Sequence, residues 1–304
     1  MKQFTLVAAG CMLVGLAYGQ GQGQNQREGF DTQKDLPAAV HFVQGASPFG
    51  GGSSPKLTYH GGPILNATQA MAIFWGTSWT ESDDKVAGLG LFYTGVGGSP
   101  YAKTNGEYGD STSTNVTSNV SYLGHVLDTS AAPTKAPSTS SVLGEVCKVL
   151  DNSTSARTAK ANGFYAVYSN NKRGNARYCA WHSYGSCGGT PIQFSFYFNL
   201  DGDSGCSVGA NNGHSEGLSN LANVTGHELS EAMTDPALNA WYDSQGAENA
   251  DKCAWTFSGS NVIFTNGSSW KIQGNWSNAA YDANQGYTKG GCIDGSGYLA
   301  SGVH

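Results

Sequence analysis

The sequence predicts an α+β fold, a single domain built on a mixed β-sheet and stabilised by disulfides. Three observations point there. Short runs dense in aromatic and β-branched residues read as strands, longer segments carry helical periodicity, and the two kinds interleave without the strict strand-helix-strand rhythm of an all-parallel sheet. The strand segments are Ala70–Trp75, Phe164–Tyr168, Gln193–Asn199 and Val262–Thr265. The helical ones are Asp83–Leu91, Ser140–Val149 and Ser215–Thr234. Between the first two groups, Asp128–Ser141 is rich in Ala, Pro, Ser and Thr and reads as an exposed loop.

The start of the chain has its own signature. Met1-Lys2-Gln3 is short and basic, Phe4 to Ala17 is apolar, and Ala17-Tyr18-Gly19 places small residues where a signal peptide is cut, so residues 1–19 are expected to be removed after Gly19. The apolar run is too short to anchor the protein in a membrane. Residues 20–54 are rich in Gly, Gln and Ser and read as a flexible leader, leaving residues 55–304 for one folded domain. Cys11 leaves with the signal peptide, and Cys147, Cys179, Cys187, Cys206, Cys253 and Cys292 remain. An even count in a secreted chain fits three disulfides, of which Cys253–Cys292 and one bridge within Cys179, Cys187 and Cys206 are expected. Asn66, Asn115, Asn119, Asn152, Asn223, Asn266 and Asn275 each begin an Asn-x-Ser/Thr sequon, so the secreted chain is expected to be a glycoprotein if its source is eukaryotic.

The strongest chemical signal is the helix Ser215–Thr234. At about 100° per residue, Leu218, Leu221, Ala222, Leu229, Ala232 and Met233 line one side, while Val224, His227 and Glu231 lie opposite, as if facing a cleft. Pro236 and the preceding Asp235 end the helix near Thr234. His227 and Glu231 are four residues apart, so their ligand atoms converge on one point, and Glu228 stands where a metal hydrolase keeps its general base. The plainer alternative is an i,i+4 pair on a solvated face, which contributes a few tenths of a kcal/mol. Downstream, Glu248 and Asp251 are spaced i,i+3 and could share a helical face.

His227-Glu228-Leu229-Ser230-Glu231 resembles the zinc-peptidase motif with glutamate in place of the second histidine, which makes the helix zincin-like. The gap from Glu231 to Asp251 is similar to that before the downstream glutamate ligand of thermolysin-like peptidases. That resemblance implies a metal set of His227, Glu231 and Asp251, with Glu248 as substitute or supporting acid and Glu228 as the catalytic base. One imidazole with two carboxylates makes a harder site than the usual two-histidine set, so manganese, iron or calcium compete with zinc as the divalent cation.

A second resemblance covers most of the chain. Leu57-Thr58-Tyr59-His60-Gly61-Gly62-Pro63-Ile64-Leu65, Ala72-Ile73-Phe74-Trp75-Gly76-Thr77-Ser78-Trp79 and Tyr178-Cys179-Ala180-Trp181-His182 are followed by the Gly226–Pro236 and Asn239–Cys253 stretches. In that order they resemble the blocks of the EXORDIUM-like, or phosphate-induced, proteins of plant cell walls and their microbial relatives. The resemblance implies an extracellular, wall-associated protein and names no reaction.

Other residues are less telling. His60 and His182 could line a cleft or be hydrogen-bonded at strand ends. His214 fits the turn before the helix. Asp201-Gly202-Asp203-Ser204-Gly205 has the flavour of a calcium loop but lacks its spaced ligands, so a polar turn is favoured. No Gly-x-Ser-x-Gly elbow supports a serine hydrolase. A net charge of −6 with 12% charged residues offers no basic field for nucleic acid and no polybasic membrane patch. The expected partners are a peptide or a cell-wall polysaccharide. The expected activity is metal-dependent peptidase or amide hydrolysis, with a non-catalytic signalling or wall-binding protein as the alternative. Most of the seven Trp and fifteen Tyr are expected in the core.

Overall fold

A computed structural model describes residues 39–46, 56–151, 158–209, 213–287 and 290–296. The expected signal peptide, Cys11 and the sequon asparagine Asn152 lie outside the described residues. Six strands form the central sheet: β1 (Ala39–Phe42), β2 (Thr68–Trp75), β3 (Val120–Asp128), β4 (Gly163–Lys172), β5 (Tyr178–Cys187) and β6 (Thr190–Asn199). Across the sheet they run β1-β5-β6-β4-β2-β3. Pairing is parallel from β3 through β2 and β4 to β6, and antiparallel at β6-β5 and β5-β1, so the sheet is mixed and the fold α+β.

Local chemistry explains this order. β2 reads Thr-Gln-Ala-Met-Ala-Ile-Phe-Trp and is buried on both faces, as an inner strand of a covered sheet must be. β3 is half-buried apart from the exposed Ser121 and sits at the edge. Between the pairs Ala70↔Tyr122 and Ala72↔His125 it inserts one extra residue, and Gly124, at φ 93°, adopts the left-handed backbone this bulge needs. β5 turns into β6 through Gly188-Gly189, both at positive φ, which suits a two-residue hairpin. These local features also explain why β3 and β5 are absent from the sequence-based strand set. A bulge interrupts the alternation of β3, and Ser and Gly dilute the apolar pattern of β5 beyond His182. Val262–Thr265, expected as a strand, reduces to Val262–Ile263 paired with Ser269–Trp270, outside the main sheet.

The leader expectation needs correction. Residues 39–42 form a sheet strand whose register places Ala39 opposite His182 and Val40 opposite Trp181. The folded unit therefore begins before residue 55. Ala38-Ala39-Val40-His41-Phe42-Val43 is an apolar island in the polar leader, too short to fold alone but sufficient to add a strand to the exposed edge of β5.

Three long helices cover the sheet: α1 (Asp84–Val96), α2 (Thr139–Asp151) and α3 (Glu216–Thr234). Gly185 of β5 makes room for the Leu143 side chain of α2, while His182, of opposite parity on the same strand, faces α3. Helices thus lie on both faces. Ser215 caps α3 by accepting the Leu218 amide, and at the other end, where Pro236 bars continuation, Asp235 accepts the amides of Asn239 and Ala240 and turns the chain back. A hydroxyl chain, Tyr93 to Tyr168 at 2.8 Å and Tyr168 to Thr225 at 2.9 Å, ties α1, β4 and α3 together. Every residue of α3 from Gly217 to Thr234 is buried. The helix does not present a polar face to a cleft, because β1, β5 and the chain around residues 247–253 and 272–276 cover that side.

Three disulfides close the fold: Cys147–Cys187, Cys179–Cys206 and Cys253–Cys292. Cys253–Cys292 is the expected pair, and Cys179–Cys206 is the expected bridge within the middle cluster. Among the described residues no helix is long and apolar enough to cross a membrane. Two sequon asparagines, Asn223 and Asn275, are buried and hydrogen-bonded, so the folded chain has no room for a glycan at either.

Two measurements follow from this packing. Replacing Cys179 and Cys206 together by Ala is expected to cost about 2–4 kcal/mol in denaturant unfolding. Glu145 of α2 is buried, with its carboxylate 2.7 Å from Lys148 Nζ, which also reaches Asp128 at 2.9 Å. Burial raises the Glu145 pKa to about 7; Lys148 pulls it down and Asp128 pushes it up. The folded value lies above the unfolded one, so this group's stabilisation is complete at low pH and is lost as pH rises through about 7. Glu145→Gln should therefore gain thermal stability relative to wild type between about pH 5 and pH 8; a difference that is constant with pH would rule the shift out.

Candidate metal centre

Seven ionisable side chains converge beneath α3. The helix supplies His227, Glu228 and Glu231; β5 supplies His182, β1 supplies His41, and the loop after the Trp241–Tyr242 strand supplies Glu248 and Asp251. Asp251 is 8% exposed and the other six are fully buried. Gly226 permits the close approach on its side of the helix, since a Cβ there would come within 3.0 Å of the Tyr101 hydroxyl. The acidic loop is held in place by Asp243, which accepts the amides of Gln245 and Ala247 and pairs with Lys252 at 2.7 Å. Cys253–Cys292 then pins the short helix Asp251–Cys253 in which Asp251 sits.

The distances define two neighbouring sets. His227 Nε2 lies 3.0 Å from Glu231 Oε1 and 3.6 Å from Asp251 Oδ1. His182 Nε2 lies 3.5 Å from Glu231 Oε2 and 3.2 Å from Glu248 Oε2. The loop is knitted to the helix by the Asp251 amide, which donates to Glu231 Oε1 at 3.0 Å, and the Glu248 amide donates to Asp251 Oδ2 at 3.1 Å. Three combinations bring their ligand atoms within 4.8 Å of one another: His227 with Glu231 and Asp251, His182 with Glu228 and Glu231, and His41 with His227 and Glu228. Ligand atoms bound at about 2.0–2.2 Å to one ion stand roughly 3–3.5 Å apart at tetrahedral or octahedral angles. The buried His, Glu and Asp groups could therefore hold a metal ion.

Electrostatics make a cation welcome. Burial drives the Glu228 pKa well above the ordinary carboxylate range, and the like charges of Asp251 and Glu248 add to it, opposed by the His41 backbone. Neither Glu228 oxygen reaches a side-chain donor. Burial lowers His227 well below its ordinary value, helped by His41 and His182, and burial alone takes His41 down to about 3. His227 and His41 are thus neutral near pH 7. The nearby cation Lys252 is committed to Asp243 and the face of Trp276.

The sequence-derived residues His227, Glu228, Glu231, Glu248 and Asp251 all belong to this cluster. Glu248 and Asp251 meet by a backbone turn and do not share the face of a longer helix. The exposed-pair alternative for His227 and Glu231 is excluded by their burial. Of the two uncertain histidines, His182 joins the cluster, whereas His60 is exposed and stacks on Tyr242 at 3.6 Å. His214 stacks on Trp270 and donates to the Ser269 carbonyl. Asp203 pairs with Arg173 and caps the turn Ser204–Cys206, which makes its segment a structural polar turn. His41 and Gln273 were not among the sequence-derived candidates; the apolar island around His41 was the only signal for the first, and nothing in the sequence marked the second. Compared with models of known protein families, with curated proteins and with solved structures, the chain matches none.

Gln273 sets the proton position on His227. Its amide orientation is fixed from both ends, since Oε1 accepts the Trp255 amide and Nε2 donates to the Ala250 carbonyl. Nε2 also lies 2.9 Å from His227 Nδ1, so Nδ1 accepts and the neutral ring carries its proton on Nε2, facing Glu231 and Asp251. A cation at Nε2 displaces that proton to Nδ1, where a donor is the wrong partner and an acceptor the right one. Gln273→Glu is therefore expected to tighten divalent-cation binding about tenfold in a calorimetric titration, and weaker binding would show that Nε2 of His227 is not a ligand.

Proposed function

We propose that this chain is a secreted, EXORDIUM-like protein whose central feature is a divalent-cation site at His227, Glu231 and Asp251, and that the site hydrolyses a peptide or related amide bond. The observation that carries the reading is the burial of Glu228, Glu231, Glu248 and Asp251 beside His41, His182 and His227, with three sets of these residues bringing their ligand atoms within 4.8 Å of one another. Buried anions on this scale require protons or a metal. Secretion is supported by the basic and apolar start of the chain and by the three disulfides. The family assignment rests on the ordered sequence blocks alone.

A divalent cation in such a site lowers the pKa of water towards neutrality. Glu228, next to His227 on α3 and within 4.8 Å of the His182 and Glu231 ligand atoms, would accept the proton of that water and return it to the leaving amine. His227, Glu231 and Asp251 would hold the cation, and the Glu248 amide donates to the Asp251 carboxylate. The donor set is hard, so manganese, iron and calcium compete with zinc. The second reading, a metal-braced protein without catalysis that binds a wall polymer, is favoured by one observation. The whole cluster is closed to solvent, so a substrate needs an opening that a structural ion does not. Against an aromatic sugar platform, none of the seven tryptophans is exposed.

Elemental analysis of the secreted protein tests the site. Wild type and Glu228→Gln should carry metal, His227→Ala should lose it, and peptide hydrolysis should fall by about a hundredfold or more in both variants. Metal without hydrolysis in wild type leaves the braced, non-catalytic protein; a metal-free wild type removes both readings.

A further inference from the structure

Glu231 presents its two oxygens to two different histidines. Oε1 faces His227, 3.0 Å from Nε2, and Oε2 faces His182, 3.5 Å from Nε2. Each imidazole then meets a second carboxylate of its own: Asp251 at 3.6 Å from His227, Glu248 at 3.2 Å from His182. The arrangement has an approximate twofold balance, one imidazole nitrogen and one private carboxylate on either side of a shared carboxylate.

Resting on the metal-binding reading above, we propose that the cluster holds two divalent cations bridged by Glu231, one with His227 and Asp251 and the other with His182 and Glu248. A bridging carboxylate holds two ions about 3.5–4 Å apart, the spacing of two-metal hydrolytic sites. The donor inventory supports the number. Four buried carboxyl groups and three buried imidazoles supply enough oxygen and nitrogen donors for two ions. His182 is free to serve, because its Nδ1 meets no donor that would hold the proton on Nε2, in contrast to His227 with Gln273. Glu228 stands at both halves. Its carboxylate comes within 4.8 Å of the His182 and Glu231 ligand atoms and of those of His41 and His227, and no side-chain donor engages it. Glu228 would be within reach as the base for a water activated by either ion.

Manganese(II) is the probe, added to the full-length, disulfide-bonded protein after chelator treatment, with elemental analysis for stoichiometry and electron paramagnetic resonance for coupling. Two manganese ions per chain with an exchange-coupled spectrum are expected. Glu248→Gln and His182→Ala should each reduce this to one uncoupled ion. Glu248→Gln preserves side-chain shape and guards against misfolding, with near-ultraviolet circular dichroism confirming the native state. One ion per chain in wild type, unchanged in both variants, overturns the second cation and leaves the single-site reading standing. Two uncoupled ions overturn the Glu231 bridge. No bound manganese, with no metal in the protein as secreted, overturns both this inference and the reading on which it rests.

Discussion

A carboxylate taken from water into a packed interior costs several kcal/mol unless something compensates it, and α3 takes in two, Glu228 and Glu231, at zero exposure. Around that constraint the rest of the structure is arranged. The helix is covered on its polar side by β1, β5 and the 247–253 loop, and the groups those segments contribute are imidazoles, further carboxylates and amides. Burial keeps His41 and His227 neutral, so they offer nitrogen lone pairs and do not act as counter-ions. The chain has concentrated carboxyl oxygen and imidazole nitrogen in one buried place, donor types that could hold a divalent metal ion.

Such a cluster must be held together mechanically when protons alone neutralise it. The disulfides stand where this matters. Cys179 is three residues from His182 on β5, and Cys253 is two residues from Asp251, so two of the three bridges restrain chain segments that carry cluster residues. The Tyr93–Tyr168–Thr225 hydroxyl chain fixes α3 against β4, and Trp255 donates to the Phe42 carbonyl, closing the edge beside His41. These are orienting contacts. They hold donor atoms at about the separations a bound ion would require, and they leave little freedom for water to enter.

Much of the fold was legible because local rules dominate there. The inner strands β2, β4 and β6 are continuous apolar or aromatic runs, and α3 has a serine cap, a clean apolar stripe and a proline stop. β1 was not legible, since four residues in a polar leader gain strand structure only when a sheet edge is present to receive them. β3 was hidden by its bulge at Gly124. The periodicity of α3 correctly separated an apolar side from a His-Glu side, yet implied that the second side faced a cleft, because a helical wheel records polarity and cannot register what will cover it.

The sequence by itself determined the helix of His227 and Glu231, the spacing that brings the two together, the downstream acids Glu248 and Asp251, and the even cysteine set. These are properties of nearest neighbours along the chain. Only the tertiary structure decided which distant residues meet them: His182 from β5, His41 from an unforeseen edge strand, and Gln273 behind His227. Strand order and register make those encounters, and register depends on pairing energies summed over the whole sheet. Tertiary packing also gave Glu231 two separate imidazole partners, because its oxygens diverge towards elements that the sequence places 49 residues upstream and four residues away.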